Sequence, residues 1–137
     1  MMTNESARAV TVAYQTDGPV DVEALSDLMV VSWPDASPSD WRPVLSHSLA
    51  TVCAYQGELL IGFVHVAWDG SVHAFLLDPT VHPDHRRRGI GTELVRRAGE
   101  AARARGCTWL HVDYEPRLAT FYEGCGFGPT MAGLMRL

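Results

Sequence analysis

Near the start of the chain, apolar residues first recur about every two positions and then every three or four positions. This change of spacing predicts a strand followed by a helix. Residues 8–15 are rich in Val, Ala and Tyr and are typical of a strand. From Val22 to Ser32, apolar or small residues recur at helical intervals, and Asp21 is positioned to open this helix. Prolines then interrupt the pattern, so an irregular segment leads into a short predicted helix near residues 41–48.

The middle of the chain contains two strand-like runs, residues 51–56 and 59–68, separated by Gln-Gly-Glu, a turn signal that predicts a hairpin. An Asp-Gly-Ser turn at residues 69–71 leads to another predicted strand at 72–77. Three consecutive strands joined by short turns form an antiparallel meander.

The C-terminal half alternates between the two patterns again. An apolar stripe predicts a helix over residues 91–105, and strand, helix and strand patterns follow at 107–114, 118–127 and 131–137. This order predicts an α/β (α+β) fold, a mixed and mostly antiparallel sheet with helices packed on it. Because no linker or repeat interrupts the pattern, residues 1–137 are expected to form a single domain.

Composition narrows the classes of partner. The net charge of −5 argues against nucleic-acid binding, and the sequence offers neither a signal-peptide pattern nor an apolar run long enough to span a membrane. Three cysteines without close spacing are typical of a reduced, intracellular protein, so a cytoplasmic location is expected.

His82 and His85 lack the further ligands that a metal site needs, and no metal is expected. Inward-facing strand histidines are expected to be hydrogen-bonded core or pocket residues; the candidates are His65, His73 and His111.

Positive charge and glycine are concentrated at one predicted helix start, in Arg-Arg-Arg-Gly-Ile-Gly at residues 86–91. The first N–H groups of a helix have no partner within the helix and lie at the positive end of its dipole. Glycine lets the backbone approach a ligand, and Arg87 and Arg88 add charge, so the segment predicts a phosphate or pyrophosphate site. The alternative is a tight turn with solvated arginines. The spacing is that of neither a P-loop nor a dinucleotide-binding motif.

Two segments carry a family resemblance. Val-His-Pro-Asp-His-Arg-Arg-Arg-Gly-Ile-Gly-Thr-Glu-Leu at residues 81–94 resembles the acyl-CoA-binding motif of the GNAT acetyltransferase superfamily, Val-x-Pro-x-x-Arg/Gln-x-x-Gly-x-Gly/Ala. Ala-Thr-Phe-Tyr-Glu-Gly-Cys-Gly-Phe at residues 119–127 resembles a second segment of that family. Before about residue 72, the agreement is in the order of elements alone. The resemblance implies a GNAT-like fold in which strands four and five splay apart.

By this resemblance, acetyl-CoA is the co-substrate. Its pyrophosphate would lie on the backbone amides of residues 87–92, and its pantetheine arm would pair with strand four, where Pro79 suits an edge or a bulge. The residues implied in binding it are Leu76, Leu77, Val81, Arg86, Arg87, Arg88, Gly89, Ile90, Gly91 and Thr92.

The sequence also departs from the family pattern. Phe75 occupies the position of a glutamate base that is common on strand four, and Glu115 that of an asparagine common at the end of strand five. Only one strand is predicted after Phe127, where many relatives have two. The sheet edge is therefore expected to be either exposed or covered by a second subunit, as in a homodimer.

The reaction needs a base and an acid. A carboxylate is expected to help deprotonate the acceptor, because an alkylamine with a pKa of about 10.4 is almost entirely protonated near neutral pH. Glu115 and Asp78 are the leading candidates, and Asp113 is a weaker third. Tyr122 is expected to be the general acid that protonates the CoA thiolate, because a phenol is protonated at neutral pH and the apolar stripe of its helix turns it inward.

Trp33 and Trp41 flank the proline-rich segment, which by the resemblance forms a wall of the acceptor pocket. Core packing is the other interpretation of both residues, and Trp68 and Trp109 are expected in the core.

The resemblance implies an acetyl-CoA-dependent N-acetyltransferase, an acyltransferase acting on an amine of a small molecule or peptide by direct attack through a tetrahedral intermediate. A non-catalytic acyl-CoA-binding or sensor module on the same fold is the alternative. A nucleotide-binding structural subunit is a third hypothesis.

Overall fold

Residues 11–137 are described in a computed structural model of the protein, and they contain a five-stranded sheet. The strands follow chain order, β1-β2-β3-β4-β5; the first four pair antiparallel and β5 runs parallel to β4. The meander and the mixed, mostly antiparallel sheet predicted from the sequence are therefore confirmed. The strand bounds are β1 Ala13–Thr16, β2 Ala50–Gln56, β3 Leu59–Trp68, β4 His73–Val81 and β5 Trp109–His111.

Four α-helices flank the sheet within residues 11–137. Asp21 caps the first, because its Oδ1 accepts hydrogen bonds from the N–H groups of Glu23 and Ala24 at 3.0 and 3.1 Å. None of the described helices is long and apolar enough to cross a bilayer. The helix bounds are α1 Val22–Ser32, α2 Arg42–Ser46, α3 Ile90–Ala104 and α4 Ala119–Gly124, with 3₁₀ turns at Pro83–His85 and Pro116–Leu118.

The two faces of the sheet bury different helices, because side chains alternate along each strand. Val64 of β3 faces a core shared with α3, whereas Phe63 faces a second core shared with α1. His65 lies on the Phe63 side, with the two ring centroids 5.8 Å apart. The α1 side of β3 therefore carries a buried polar residue toward the end of the strand.

A β-bulge divides β4 in two. Phe63 pairs with Thr80 and His65 pairs with Leu77, so two residues of β4, Asp78 and Pro79, stand opposite one residue of β3. Asp78 has a left-handed backbone with φ of 53°. Pro79 thus lies in a bulge, as predicted, where a missing N–H costs no ladder hydrogen bond.

The two parallel strands separate beyond the first part of β4. Their pairing runs only from His73↔Trp109 to Phe75↔His111. From Leu76 to Val81, β4 has no β5 partner within the described residues, and the predicted splay of strands four and five is confirmed.

Two predictions about the C-terminal part of the sheet were wrong, and a third, on the first strand, lies partly outside the described residues. Residues 131–137 form no strand; Met131 is 98% exposed, because the neighbouring edge strand β5 offers only three residues to pair with and Gly133 weakens a strand. The strand predicted over 107–114 is shorter, and Trp109 is 65% exposed rather than in the core. The first strand begins at Ala13, and residues 8–10 of its predicted span lie outside the described part of the chain.

Candidate active site

The start of α3 has the geometry of an anion site. Gly89 is the N-cap with φ of 78°, a left-handed conformation that glycine adopts without penalty, and Arg87 also has a positive φ of 64°. The N–H of Glu93 donates to the carbonyl of Gly89 at 3.1 Å, which is the first hydrogen bond of the helix. The N–H groups before it, on Ile90, Gly91 and Thr92, are those that a helix leaves for an external acceptor.

The three consecutive arginines occupy different environments. The guanidinium of Arg86 donates to the carbonyls of Ser32 and Val81 at 3.3 and 3.4 Å, so it ties the end of α1 to the end of β4. Arg88 contacts Gln56 Oε1 at 3.3 Å and the ring of His85 at 2.9 Å. Arg87 is exposed at the loop surface, where its charge faces solvent.

The two glycines of the motif serve different purposes. A Cβ on Gly89 would meet no atom within 4 Å, so this position needs glycine for its backbone conformation. A Cβ on Gly91 would lie 3.3 Å from Cζ of Phe121 and 3.7 Å from Cγ2 of Val81. Gly91 therefore lets α4 and the end of β4 pack against the first turn of α3, a role that no pattern in the sequence indicates.

Asp78 in the β4 bulge belongs to a hydrogen-bonded chain. Its Oδ2 lies 2.8 Å from Nε2 of His65, and Nδ1 of His65 lies 3.1 Å from Oγ of Ser48. The His65 side chain is only 6% exposed, whereas that of Asp78 is 49% exposed. The expectation of a buried, hydrogen-bonded strand histidine is met by His65, but its partner depends on the bulge and carries no sequence signal.

Of the two tryptophans predicted for the acceptor pocket, Trp33 lies at the bulge and Trp41 packs in the core. Trp33 Nε1 donates to Thr80 Oγ1 at 2.9 Å, and that hydroxyl also lies 3.0 Å from the carbonyl of Asp78. Trp33 is thus fixed beside the bulge while remaining partly exposed. Trp41 packs edge-on against Phe63 with centroids 6.2 Å apart, which is core packing.

Tyr122 points into the protein, as its helical stripe predicts. The residue is 4% exposed and its ring stacks on Tyr114, with centroids 4.8 Å apart. Burial, followed by the nearby Cys125 and Asp113, raises the pKa of Tyr122 above its ordinary value. The phenol therefore stays protonated throughout the neutral pH range, as a proton donor requires.

Glu115 lies in a different setting from the one expected. Because β5 ends at His111, Glu115 is not at a strand end; it precedes the 3₁₀ turn, is 70% exposed and pairs with Arg117 at 2.9 Å. Phe75, at the position of the family's glutamate, stacks on His111 with centroids 4.6 Å apart. Of the two leading carboxylates, Asp78 is the one on the unpaired part of β4.

No three His, Cys, Asp or Glu side chains within residues 11–137 converge on a metal-sized site.

Comparison with known proteins gives one consistent family. The family model described as Acetyltransferase (GNAT) family matches residues 22–127. A mycothiol acetyltransferase of Mycobacterium ulcerans is 31% identical over 113 residues, which cover 81% of this chain and 31% of the relative. A glucosamine 6-phosphate N-acetyltransferase of Oryza sativa is 44% identical over 50 residues, which cover 36% of this chain and 30% of the relative. The chain thus spans less than a third of the length of these two relatives.

Solved structures share the fold over nearly the whole chain. A GNAT-family acetyltransferase from Streptococcus pneumoniae superposes with a TM-score of 0.80 at 22% identity, covering 93% of this chain and 98% of that one. An aminoglycoside N-acetyltransferase solved in complex with CoA superposes with a TM-score of 0.77 at 18% identity, covering 95% and 96%.

Proposed function

The chain belongs to the GNAT acetyltransferase family, and from this membership we propose that it transfers an acetyl group from acetyl-CoA to an amine. The observation that carries the proposal is the half-exposed carboxylate of Asp78 in the β4 bulge, where β4 has no β5 partner among the described residues. The Asp78 carboxylate, the part of β4 that has no β5 partner and the N-terminus of α3 all lie within residues 76–92.

Acetyl-CoA fits the residues present along this path. The unpaired edge of β4 from Leu76 to Val81 offers backbone groups to an extended amide-containing chain such as pantetheine. The first turn of α3 offers N–H groups and the positive end of the helix dipole to the pyrophosphate, with Arg87 at the surface beside it.

Asp78 is the base in this proposal. An alkylamine near neutral pH carries a proton that it must lose before its nitrogen can attack the thioester carbonyl. Asp78 can accept that proton, directly or through a water molecule, because its carboxylate is partly exposed at the splay. Glu115 is the weaker candidate, since its carboxylate is paired with Arg117 and lies beyond the end of β5.

Tyr122 is the acid. Attack of the neutral amine nitrogen on the thioester carbon forms a C–N bond and a tetrahedral intermediate, whose nitrogen loses its second proton to solvent; collapse of that intermediate then breaks the C–S bond and releases CoA thiolate. The phenol of Tyr122 supplies a proton to the thiolate sulfur, which discourages the reverse reaction. Support comes from the raised pKa of Tyr122 and from its neighbour Phe121, which packs on the first turn of α3.

The acceptor is an amine of a small molecule or peptide, and Trp33, fixed beside Asp78 through Thr80, forms one wall of its site.

We also propose that residues 1–137 act as one domain, in the cytoplasm, where the three unpaired cysteines stay reduced. A homodimer remains part of the proposal, because the outer edge of β5 is unpaired among the described strands.

Two measurements test this function together. Isothermal titration with acetyl-CoA, CoA and ATP checks the co-substrate, and thiol release in the presence of a panel of primary amines checks transfer. We expect acetyl-CoA and CoA to bind and ATP to bind more weakly, with thiol released faster for at least one amine than without it. Binding without amine-dependent release would instead support the acyl-CoA-binding or sensor module, for which the replacement of the family's glutamate by Phe75 is the supporting observation.

A further inference from the structure

We propose that His65, held by Ser48, is a positioning residue that aims the Asp78 carboxylate at the acceptor amine; this role rests on the proposed function. The three side chains come from the loop before β2, from β3 and from the β4 bulge, so only the folded sheet brings them together. Asp78 is the exposed end of the chain of contacts, and it alone would meet the substrate.

The backbone conformation of Asp78 sets the direction in which its side chain points. A φ of 53° is uncommon for a residue with a Cβ, although aspartate adopts it more readily than most. Such a conformation persists only where its surroundings determine it, and bulges commonly redirect a side chain. Here the redirected carboxylate reaches across to His65, whose own Cα partner on β4 is the preceding residue, Leu77.

The direction in which the Ser48 hydroxyl donates sets the hydrogen-bond roles of the two His65 nitrogens. If the Ser48 hydroxyl donates to Nδ1 of His65, the neutral ring carries its hydrogen on Nε2 and donates it to Asp78. If the hydroxyl donates instead to the carbonyl of Val44, 2.8 Å away, Nδ1–H donates to Oγ, and the hydrogen of the Nε2···Oδ2 contact is carried by the ring or by the carboxyl. In both arrangements the 2.8 Å hydrogen bond with Nε2 of His65 occupies Oδ2 of Asp78.

Oδ2 of Asp78 is therefore hydrogen-bonded to His65, whereas Oδ1 is the oxygen that can accept a proton from the amine. Oδ1 has no hydrogen-bond partner among the described residues, and the side chain is 49% exposed. Ser48 fixes the ring of His65, burial prevents that ring from turning away, and the ring fixes Oδ2. The second oxygen is then held in one orientation without any loss of rotational freedom when the amine arrives.

The experiment compares variants that keep or lose the Nε2 hydrogen bond, measuring kcat and KM by thiol release with the best amine of the panel. His65→Leu removes the donor, His65→Gln places an N–H near the position of Nε2, and His65→Asn places one only near Nδ1. We expect kcat of His65→Leu to fall about tenfold to a hundredfold with KM for acetyl-CoA unchanged. We expect His65→Gln to recover most of the loss and His65→Asn to recover little.

A double-mutant cycle separates positioning from general packing. If His65 acts through Asp78, His65→Leu has no further effect on kcat in an Asp78→Asn background. Parental kcat in His65→Leu, or losses that multiply in the double variant, would overturn the role of His65. Should His65→Leu fail to fold by circular dichroism, Ser48→Ala takes its place, with a smaller fall in kcat expected that also vanishes in the Asp78→Asn background.

The parent enzyme is assayed first, which distinguishes the two proposals. A parent that binds acetyl-CoA but releases no thiol with any amine would overturn the proposed function and this role with it. An active parent whose His65 variants behave as the parent does would overturn the positioning role alone.

Discussion

A Cβ atom on Gly91 would lie 3.3 Å from Cζ of Phe121, so the first turn of α3 and the helix that carries Tyr122 touch at this glycine. Phe121 in turn packs edge-on against Tyr122, with ring centroids 4.9 Å apart. The proposed anion site and the proposed acid therefore belong to one packed unit, and a change at Gly91 is transmitted toward Tyr122.

Two glycines of α3 make this contact testable. Gly99→Ala should raise the free energy of unfolding by about 0.5–1 kcal/mol, because alanine is the better helix former and its Cβ would lie 3.9 Å from the nearest atom, Leu110 Cδ2. Gly91→Ala should gain less or lose stability, because the Phe121 ring must move. Urea denaturation measures both; equal gains would show that the Gly91–Phe121 contact imposes no constraint.

Gly89 should be needed for its backbone rather than for space. Gly89→Ala forces a residue with a Cβ into a φ of 78°, at a cost of about 1–2 kcal/mol. If the loop relaxes to avoid this cost, the first-turn amides of α3 turn away from the pyrophosphate. We expect acetyl-CoA affinity to fall about tenfold, which corresponds to about 1.4 kcal/mol. Isothermal titration gives the value.

The matched control is Gly89→Asn, because asparagine tolerates the left-handed conformation better than alanine does. We expect its affinity to lie closer to that of the parent than to that of Gly89→Ala. If both variants bind acetyl-CoA equally weakly, the loss comes from the added side chain and not from the backbone conformation.

The parts of the fold that could be predicted from the sequence rest on local signals. The Asp-Gly-Ser turn is one, since Asp69 Oδ1 accepts from the N–H of Ser71 at 2.7 Å, two residues away. The helical period of α3 is another, and its predicted span differs from the observed one by a single residue at each end. These features depend on neighbours in the chain, and they remain visible without the tertiary structure.

The parts that could not be predicted depend on pairing between distant segments. The family resemblance placed Glu115 at a strand end, but β5 and its pairing with β4 stop at His111, four residues earlier. Pro79 indicated a bulge, yet nothing in the sequence shows that the bulge turns Asp78 toward His65. Both outcomes follow from the register of β3 and β4, which is a property of the whole sheet.

Arg86 and Arg87 should respond differently to the same substitution. Arg86→Met removes two long hydrogen bonds to the carbonyls of Ser32 and Val81, so we expect it to lower the free energy of unfolding by about 0.5–1.5 kcal/mol. Arg87→Met should leave stability nearly unchanged and weaken acetyl-CoA binding. Because salt screens an exposed charge, that loss of affinity should shrink at high ionic strength.

Thermal unfolding and titration at two salt concentrations measure the pair. The opposite pattern, with Arg86→Met affecting affinity alone, would place Arg86 at the ligand rather than at the junction of α1 and β4.

Asp78 and Glu115 offer two equivalent substitutions in different settings. Asp78→Asn should lower kcat/KM for the amine by about 10²–10⁴-fold, the range for loss of a general base. Glu115→Gln makes the same chemical change on an exposed carboxylate paired with Arg117, and we expect activity near that of the parent. Thiol release at subsaturating amine provides kcat/KM. A large loss in Glu115→Gln with none in Asp78→Asn would reverse the assignment.

Tyr122 should matter for its proton and not for its ring. Tyr122→Phe keeps the packing against Tyr114 and Phe127, so acetyl-CoA affinity should change little while kcat falls about 10²-fold. Tyr114→Phe is the matched control, because it removes a phenol from the stacked partner that is not the proposed donor. Since burial raises the pKa of Tyr122 above that of an ordinary phenol, its protonated form persists through pH 9, and the ratio of parent to Tyr122→Phe kcat should stay constant from pH 7 to 9. A ratio that collapses within this range would mean that the donated proton comes from a group with a lower pKa, and equal kcat values at every pH would limit Tyr122 to packing.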